Sequence, residues 1–174
     1  GFDKSPSKEG VDPSIVAAEN LKKAMGKHYD ELKSDHLEDY KELFDRVKFS
    51  LGEMTDQSKL PTDKRLELFN QGGDPSLATL FMQHARYLTI AASRPGGQPI
   101  NLQGMWNDQI IPPWAGAYTM NINTEIYYWM TEAANLSECA EPIHRFTKEL
   151  AENGAKHAKE SFGYDGWTAH HNTT

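Results

Sequence analysis

Residues 74–97, DPSLATLFMQHARYLTIAASRPGG, decide the fold class. They open on Asp74-Pro75, a capping side chain followed by a residue well tolerated in the first helical turn. Leu77, Leu80, Phe81, His84, Leu88 and Ala91 then recur at helical spacing. FMQHARYLTIAA is apolar over much of its circumference, so this helix is expected to be buried on more than one side. Ser93-Arg94-Pro95-Gly96-Gly97 ends it, because Pro breaks a helix and Gly turns the chain. Arg86 and Arg94 are candidates for buried pairing with carboxylates. No alternating strand pattern of any length flanks this helix. The chain therefore reads as all-α, with about six helices in antiparallel hairpins.

Towards the N terminus, Asp12-Pro13 repeats the cap-then-Pro device. Ile15, Ala18, Leu21 and Met25 follow at helical spacing, and Gly26 can end that helix. A longer helix is expected from about His28 to Phe49. Its inward stripe is Tyr29, Leu32, His36, Tyr40, Leu43, Phe44 and Val47, and its opposite face is charged. His28 and His36 lie on roughly the same side, but no carboxylate–His cluster repeats their spacing. Packed or rim histidines are expected there rather than a metal pair, and no metal or cofactor is implied. Thr62 is expected to cap a short helix carrying Leu66, Leu68 and Phe69. Residues 1–11 are polar and read as coil or linker.

Towards the C terminus comes the loop Asn101–Asn123, NLQGMWNDQIIPPWAGAYTMNIN, which holds two of the four Trp. A loop this long in a compact chain is functional or disordered, and its apolar residues are too dense for disorder. Trp with Asn suits a sugar site: an indole covers the apolar face of a pyranose, and carboxamides donate to and accept from its hydroxyls. A loop that packs its tryptophans into the core fits equally well. Asn121 and Asn123 face the same way only on an extended segment or in an irregular first helical turn. A helix is expected from about Thr124 to Ala134, with Ile126, Trp129, Met130 and Ala133 inward. Its N-terminal amides would then favour negative charge at the site. The last helix starts near Pro142 and runs to about Phe162, with Ile143, Phe146, Leu150 and Ala158 inward. GYDGWTAHHNTT, residues 163–174, follows it. Two helices separate the two rich loops, so in an up-down arrangement both emerge at one end. That brings Trp106, Trp114, Asn121, Asn123, Trp167, His170, His171 and Asn172 within reach of one pocket.

The chain has 174 residues and a formal net charge of −7. That is enough for one domain with a real core, and the acidic balance argues against nucleic acid as a partner. No apolar run approaches the roughly 20 residues of a membrane span. The opening GFDKSPSKEG has no apolar segment of the signal-peptide kind. Cys139 is the single cysteine, so an internal disulfide is excluded, and a small semi-buried residue is expected there rather than a nucleophile. The compartment stays open, with a secreted or periplasmic setting expected ahead of the cytoplasm. Asn135-Leu-Ser137 and Asn172-Thr-Thr174 match the short glycosylation sequon.

Several blocks in order, NLQGMWND, PPW, YTMNINTEIYYW, NLSE with EP, and GWTAHHNT, resemble the inverting 1,2-α-L-fucosidases of glycoside hydrolase family 95. HLEDYKELFDRV and RYLTIAASRPGGQP are similar to that family too, so the resemblance covers nearly the whole chain. It implies an (α/α)6 barrel preceded by a β-sandwich and a helical linker. Residues 1–50 are then expected to be the end of the preceding domain and the linker. Residues 51–174 would be the N-terminal part of the barrel, completed by the remainder of the same polypeptide. The implied activity is inverting removal of terminal α-1,2-linked L-fucose from a fucosylated oligosaccharide or glycan. By motif, Asn121 and Asn123 take the family's role of holding the attacking water, while the general acid Glu and a helper Asp lie beyond Thr174. The family's HHNT block usually continues with Asp, whereas Thr174 follows Thr173 here. Asp108, Glu125 and Glu132 are the nearest carboxylates, and local structural roles are expected for them. Alone, the chain is expected to be inactive and prone to association through apolar faces. The alternative from another class is a non-catalytic helical carbohydrate-binding or scaffold fragment.

Overall fold

The computed structural model describes residues 12–173. Among them the long elements are helices: α1 (Pro13–Met25), α2 (Tyr29–Phe44), α3 (Thr62–Leu68), α4 (Pro75–Ala92), α5 (Asn123–Tyr128), α6 (Met130–Ala133) and α7 (Glu141–Phe162). Two short strands, β1 (Tyr118–Thr119) and β2 (Asn172–Thr173), form an antiparallel pair. The fold is all-α, as its periodicity implies. The coil expected over residues 1–11 lies outside the described residues.

The core gathers where α2, α4 and the segment after α6 meet. Leu43, Ile90, Ala134, Leu136 and Cys139 form its buried cluster, with Tyr40, Phe44 and Met130 packed against it. Tyr40 stacks on Phe44 at 5.0 Å and meets Tyr87 edge-on at 6.0 Å. Arg86, fully buried, organises this junction. It finds no carboxylate. Its guanidinium donates to the carbonyls of Phe44 (2.8 Å), Leu43 (3.0 Å) and Ala134 (3.3 Å), and to Gln83 Oε1 (2.9 Å). One side chain thus satisfies C-terminal carbonyls of two helices, groups that a helix cannot satisfy internally. This explains why α2 stops at Phe44 and not near Phe49. The carbonyls that residues 47 and 48 would use are taken by Arg86. Arg94 does meet a carboxylate, Asp39, at 2.5 Å, but in an exposed pair.

Several expected inward stripes stand in the open. Ile15, Leu21 and Met25 of α1 are exposed, and α1 has no buried residue. On α4 the buried side chains are Leu77, Arg86, Thr89 and Ile90, while Leu80, Phe81, His84 and Leu88 are exposed. Leu80, Phe81 and His84 line an apolar groove of about 500 Å³ with Leu66 and Phe69 of the α3 segment. Nor does Thr62 cap α3: it is the first helical residue, after Pro61. The carboxylate of Asp74 takes a bidentate bond from Arg65 (2.7 and 3.1 Å) and a third from Ser76 (2.7 Å). That ties the end of α3 to the start of α4.

The expected helix over 124–134 is broken at Trp129 into α5 and α6. Its buried side is Thr124, Thr131 and Ala134, while Ile126 and Trp129 are exposed. Asn135 ends it in a left-handed conformation (φ 55°), with Leu136 N–H donating to Thr131 O and Asn135 N–H to Glu132 O. This is the Schellman arrangement, and the residue after the turn, Leu136, is fully buried. Helix α7 begins at Glu141-Pro142 and closes at Gly163 (φ 75°), whose N–H donates to Lys159 O at 3.0 Å.

Candidate functional site

The 94–122 loop leaves α4 through a chain of buried hydrogen bonds. Ile100 N–H donates to Tyr128 Oη (2.8 Å). Tyr128 Oη and Ser93 Oγ are 2.9 Å apart, and Ser93 Oγ donates to Cys139 O (2.7 Å). Since the Ser93 proton goes to Cys139, Tyr128 must donate to Ser93. Burial pushes the Tyr128 phenol above its ordinary value, which keeps it protonated for that role. Cys139 is fully buried and its thiol is likewise pushed up by burial, so it is a packing residue and not a nucleophile.

Further on, Asn101 and Gly104 close a tight turn: Gly104 N–H donates to Asn101 O (2.9 Å), and Gln103 N–H to Asn101 Oδ1 (2.8 Å). Gly104 has φ 68°, and a Cβ there would fall 2.8 Å from the Trp106 ring. The indole of Trp106 therefore lies over a residue that must be glycine. Gln103 Nε2 reaches across to Pro113 O (3.0 Å), joining the Trp106 and Trp114 arms of the loop. Trp114, Ala115 and Gly116 are consecutively left-handed, at φ 57°, 58° and 61°. This conformation costs a non-glycine residue about 1–2 kcal/mol. It leaves the Trp114 indole 81% exposed, beside the exposed Ile110 and Ile111.

The decisive contact follows. β1 pairs with β2 in the register Tyr118↔Thr173 and Thr119↔Asn172, and Met120 N–H donates to His171 O at 2.8 Å. The two rich loops are thereby joined directly before Asn121. Asn121 lies in an exposed turn, and Ile122 follows with φ −157° and ψ −47°. The half-buried Asn123 is the first residue of α5, one position before the expected start. α5 runs only six residues before the break at Trp129, so it brings a short helical N terminus to this place. Burial raises the Tyr127 phenol above its ordinary value, and the nearby Asn123 carboxamide opposes that rise.

The remaining candidates sit around the ladder. His171 contributes its backbone carbonyl, and Asn172 faces Thr119. His170 lies against His157 of α7, with ring centroids 4.3 Å apart, and His157 Nδ1 contacts Ser161 Oγ at 3.2 Å. Trp167 is half-exposed. Among the described residues no cluster of three or more His, Cys, Asp or Glu side chains could hold a metal. The nearby carboxylates have local explanations: Glu132 accepts from Ser137 Oγ at 2.6 Å, and Glu125 is exposed in the first turn of α5. The apolar groove between α3 and α4 is lined by none of the candidate residues. Gln103, Tyr127, Tyr128 and Gly154 do not stand out in the sequence as site residues. Only Gly154 left a local signal there, a glycine inside a helical pattern.

The chain is 40% identical to alpha-L-fucosidase 2 of Arabidopsis thaliana over 169 residues, 95% of this chain and 20% of that protein. It is 34% identical to a probable alpha-fucosidase A of Aspergillus niger over 164 residues, 93% of this chain and 21% of that one. A probable alpha-fucosidase A of Aspergillus oryzae is 28% identical over 166 residues, with 93% and 23% covered. The chain thus spans about a fifth of the length of these curated relatives. The model of the glycosyl hydrolase family 95 catalytic domain matches residues 28–174, so the chain belongs to glycosyl hydrolase family 95.

Proposed function

We propose that the full-length protein is an inverting 1,2-α-L-fucosidase and that Asn121 and Asn123 hold its attacking water. The observation that carries this reading is the β1–β2 pairing, which sets HHNT beside MNIN at the open turn carrying Asn121. The names of the relatives, alpha-fucosidases, supply the sugar and the anomer. In this reaction a water oxygen bonds to the anomeric carbon on the face opposite the leaving oxygen as the glycosidic bond breaks, and a carboxylic acid protonates the leaving oxygen. A neutral amide is a poor base, so the Asn pair orients the water, and the carboxylate that polarises the pair takes up the proton the water loses. By resemblance, that Asp and the acidic Glu belong to the polypeptide beyond Thr174. The 174-residue chain alone is then a water-holding half-site without turnover.

The test is kinetic and stereochemical. In the full-length protein, Asn121→Ala and Asn123→Ala each lower kcat by about 10²-fold or more on an α-1,2-fucosylated oligosaccharide. NMR of the first product shows β-L-fucose. Wild-type-like turnover in both variants removes the Asn assignment, and α-L-fucose as first product removes the inverting mechanism. The exposed indoles of Trp106, Trp114 and Trp167 favour a second reading, a sugar-binding surface without chemistry. Under it Trp106→Ala or Trp167→Ala lowers glycan affinity, and the full-length protein has no turnover to lose.

A further inference from the structure

The two segments that form the candidate site rest on α7 at a point where that helix has no side chain. Gly154 is buried mid-helix, where glycine is disfavoured relative to alanine and calls for a packing reason. A Cβ at this position would lie 2.2 Å from Thr168 O and 3.2 Å from Thr168 C and N. These are backbone atoms, which cannot swing aside as a side chain would. Thr168 N–H donates back to Gly154 O at 3.4 Å. From Thr168 the chain leads into β2, and β1 across the ladder ends one residue before Met120, whose N–H is held by His171 O. β1 is fixed to the same helix through Tyr118, whose ring meets Phe146 at 4.7 Å. Both strands are thus referenced to α7, one through an aromatic contact and the other through a missing side chain.

We propose that Gly154 is a positioning residue: the gap it leaves in α7 seats Thr168 and, through the β1–β2 ladder, sets where Asn121 and Asn123 point. The proposal rests on the reading of those two residues as the water-holding pair. A misplacement of about 1 Å at a catalytic group costs up to about 10²-fold in rate. A methyl group at 154 forces a shift of that order, since a 2.2 Å contact must open to more than 3 Å.

The experiment compares Gly154→Ala in the full-length enzyme and in its Asn121→Ala variant, using an α-1,2-fucosylated oligosaccharide and amide hydrogen exchange. In the wild-type background kcat falls at least about tenfold with KM changed less than about threefold, and the Met120 amide exchanges faster. In the Asn121→Ala background Gly154→Ala costs clearly less, because one of the two groups it positions is gone. An unchanged kcat overturns the proposal, and so does an equal loss in both backgrounds, which a general weakening of the fold would give. If Asn121→Ala and Asn123→Ala both keep wild-type-like turnover, the mechanistic reading has failed. Faster Met120 exchange, with the core amides of α2 and α4 unaffected, then decides the seating contact by itself. Should Gly154→Ala not fold, Thr168→Pro leaves α7 unchanged and pushes the same contact apart from the other side, because a ring carbon replaces the N–H donated to Gly154 O. The same non-additive pattern is expected, and additive losses overturn the proposal.

Discussion

On one side of α4, Arg86, Thr89, Ile90 and Ser93 are no more than 5% exposed; on the other, Leu80, Phe81 and Leu88 are 43%, 76% and 37% exposed. Three of those four buried residues are polar, while the large apolar side chains stand outside, against the usual order. The difference lies in where each side finds partners. Carbonyls of α2 and α6 and the Cys139 backbone surround the polar side within this chain. On the apolar side, Leu80 and Phe81 face Leu66 and Phe69 of the α3 segment across a groove. Hydrogen bonding at the α2–α4–α6 junction is locally complete, whereas the burial of α4 is not.

Removing Arg86 should break the first half of that contrast. Arg86→Met leaves the carbonyls of Leu43, Phe44 and Ala134 without their donor. At about 1–3 kcal/mol per unsatisfied buried group, the loss should be about 4 kcal/mol. Urea unfolding of the 174-residue chain measures it. Arg86→Lys should recover only part, because an ammonium cannot span the fork of acceptors. An Arg86→Met chain as stable as wild type would mean that apolar packing, and not the guanidinium, holds the junction.

The Arg65–Asp74 pair should respond next. Asp74→Ala leaves the Arg65 guanidinium without its carboxylate and should lower the unfolding midpoint, by less than Arg86→Met does. The pair also carries a pH signature. The hydrogen bond from Arg65 holds the Asp74 carboxyl below the ordinary carboxylate range, against the opposing effect of burial. A folded-state value below the unfolded one means the stabilisation is fully present above about pH 4 and is lost as pH falls through the depressed Asp74 value. Acid titration of the unfolding midpoint should show this loss in wild type and not in Arg65→Met. Equal acid sensitivity in both would assign it to other carboxylates.

These contacts also mark what was legible in the sequence. The helices 75–92 and 141–162 declare themselves through Asp74-Pro75, Pro142 and Gly163, all local signals. The end of α2 does not, because it is set by Arg86, some forty residues on, and a periodicity argument sees only neighbours. The stripes of α1 and α4 are apolar, but periodicity does not tell whether anything covers them, and the structure leaves them largely exposed. At the candidate site, the Asn121–Asn123 spacing and the helix start beside it could be read within one residue. The ladder could not, since two-residue strands show no alternation. Gln103 and the left-handed Trp114–Gly116 turn were hidden for a similar reason. They depend on the loop closing on itself, and Pro-Pro-Trp gives no hint of a positive φ at Trp114.

The smallest effect in this chain should come from the open side of α4, and there the contrast is sharpest. Phe81→Ala removes a large side chain that is 76% exposed. Surface substitutions usually change stability by less than about 0.5 kcal/mol, so the unfolding midpoint of this chain should hardly move. Its self-association in light scattering should fall, because an exposed apolar patch has been trimmed. In the full-length protein the same substitution should cost about 3 kcal/mol, the loss expected for an aromatic in a packed core. The two measurements ask whether the groove beside α3 is surface or unfinished interior. A small loss in both proteins would make it surface, and the reversal of faces on α4 would then be a lasting property of the fold. A small loss in one and a large loss in the other would show that the polar side of α4 is assembled by this chain and its apolar side by the polypeptide that completes it.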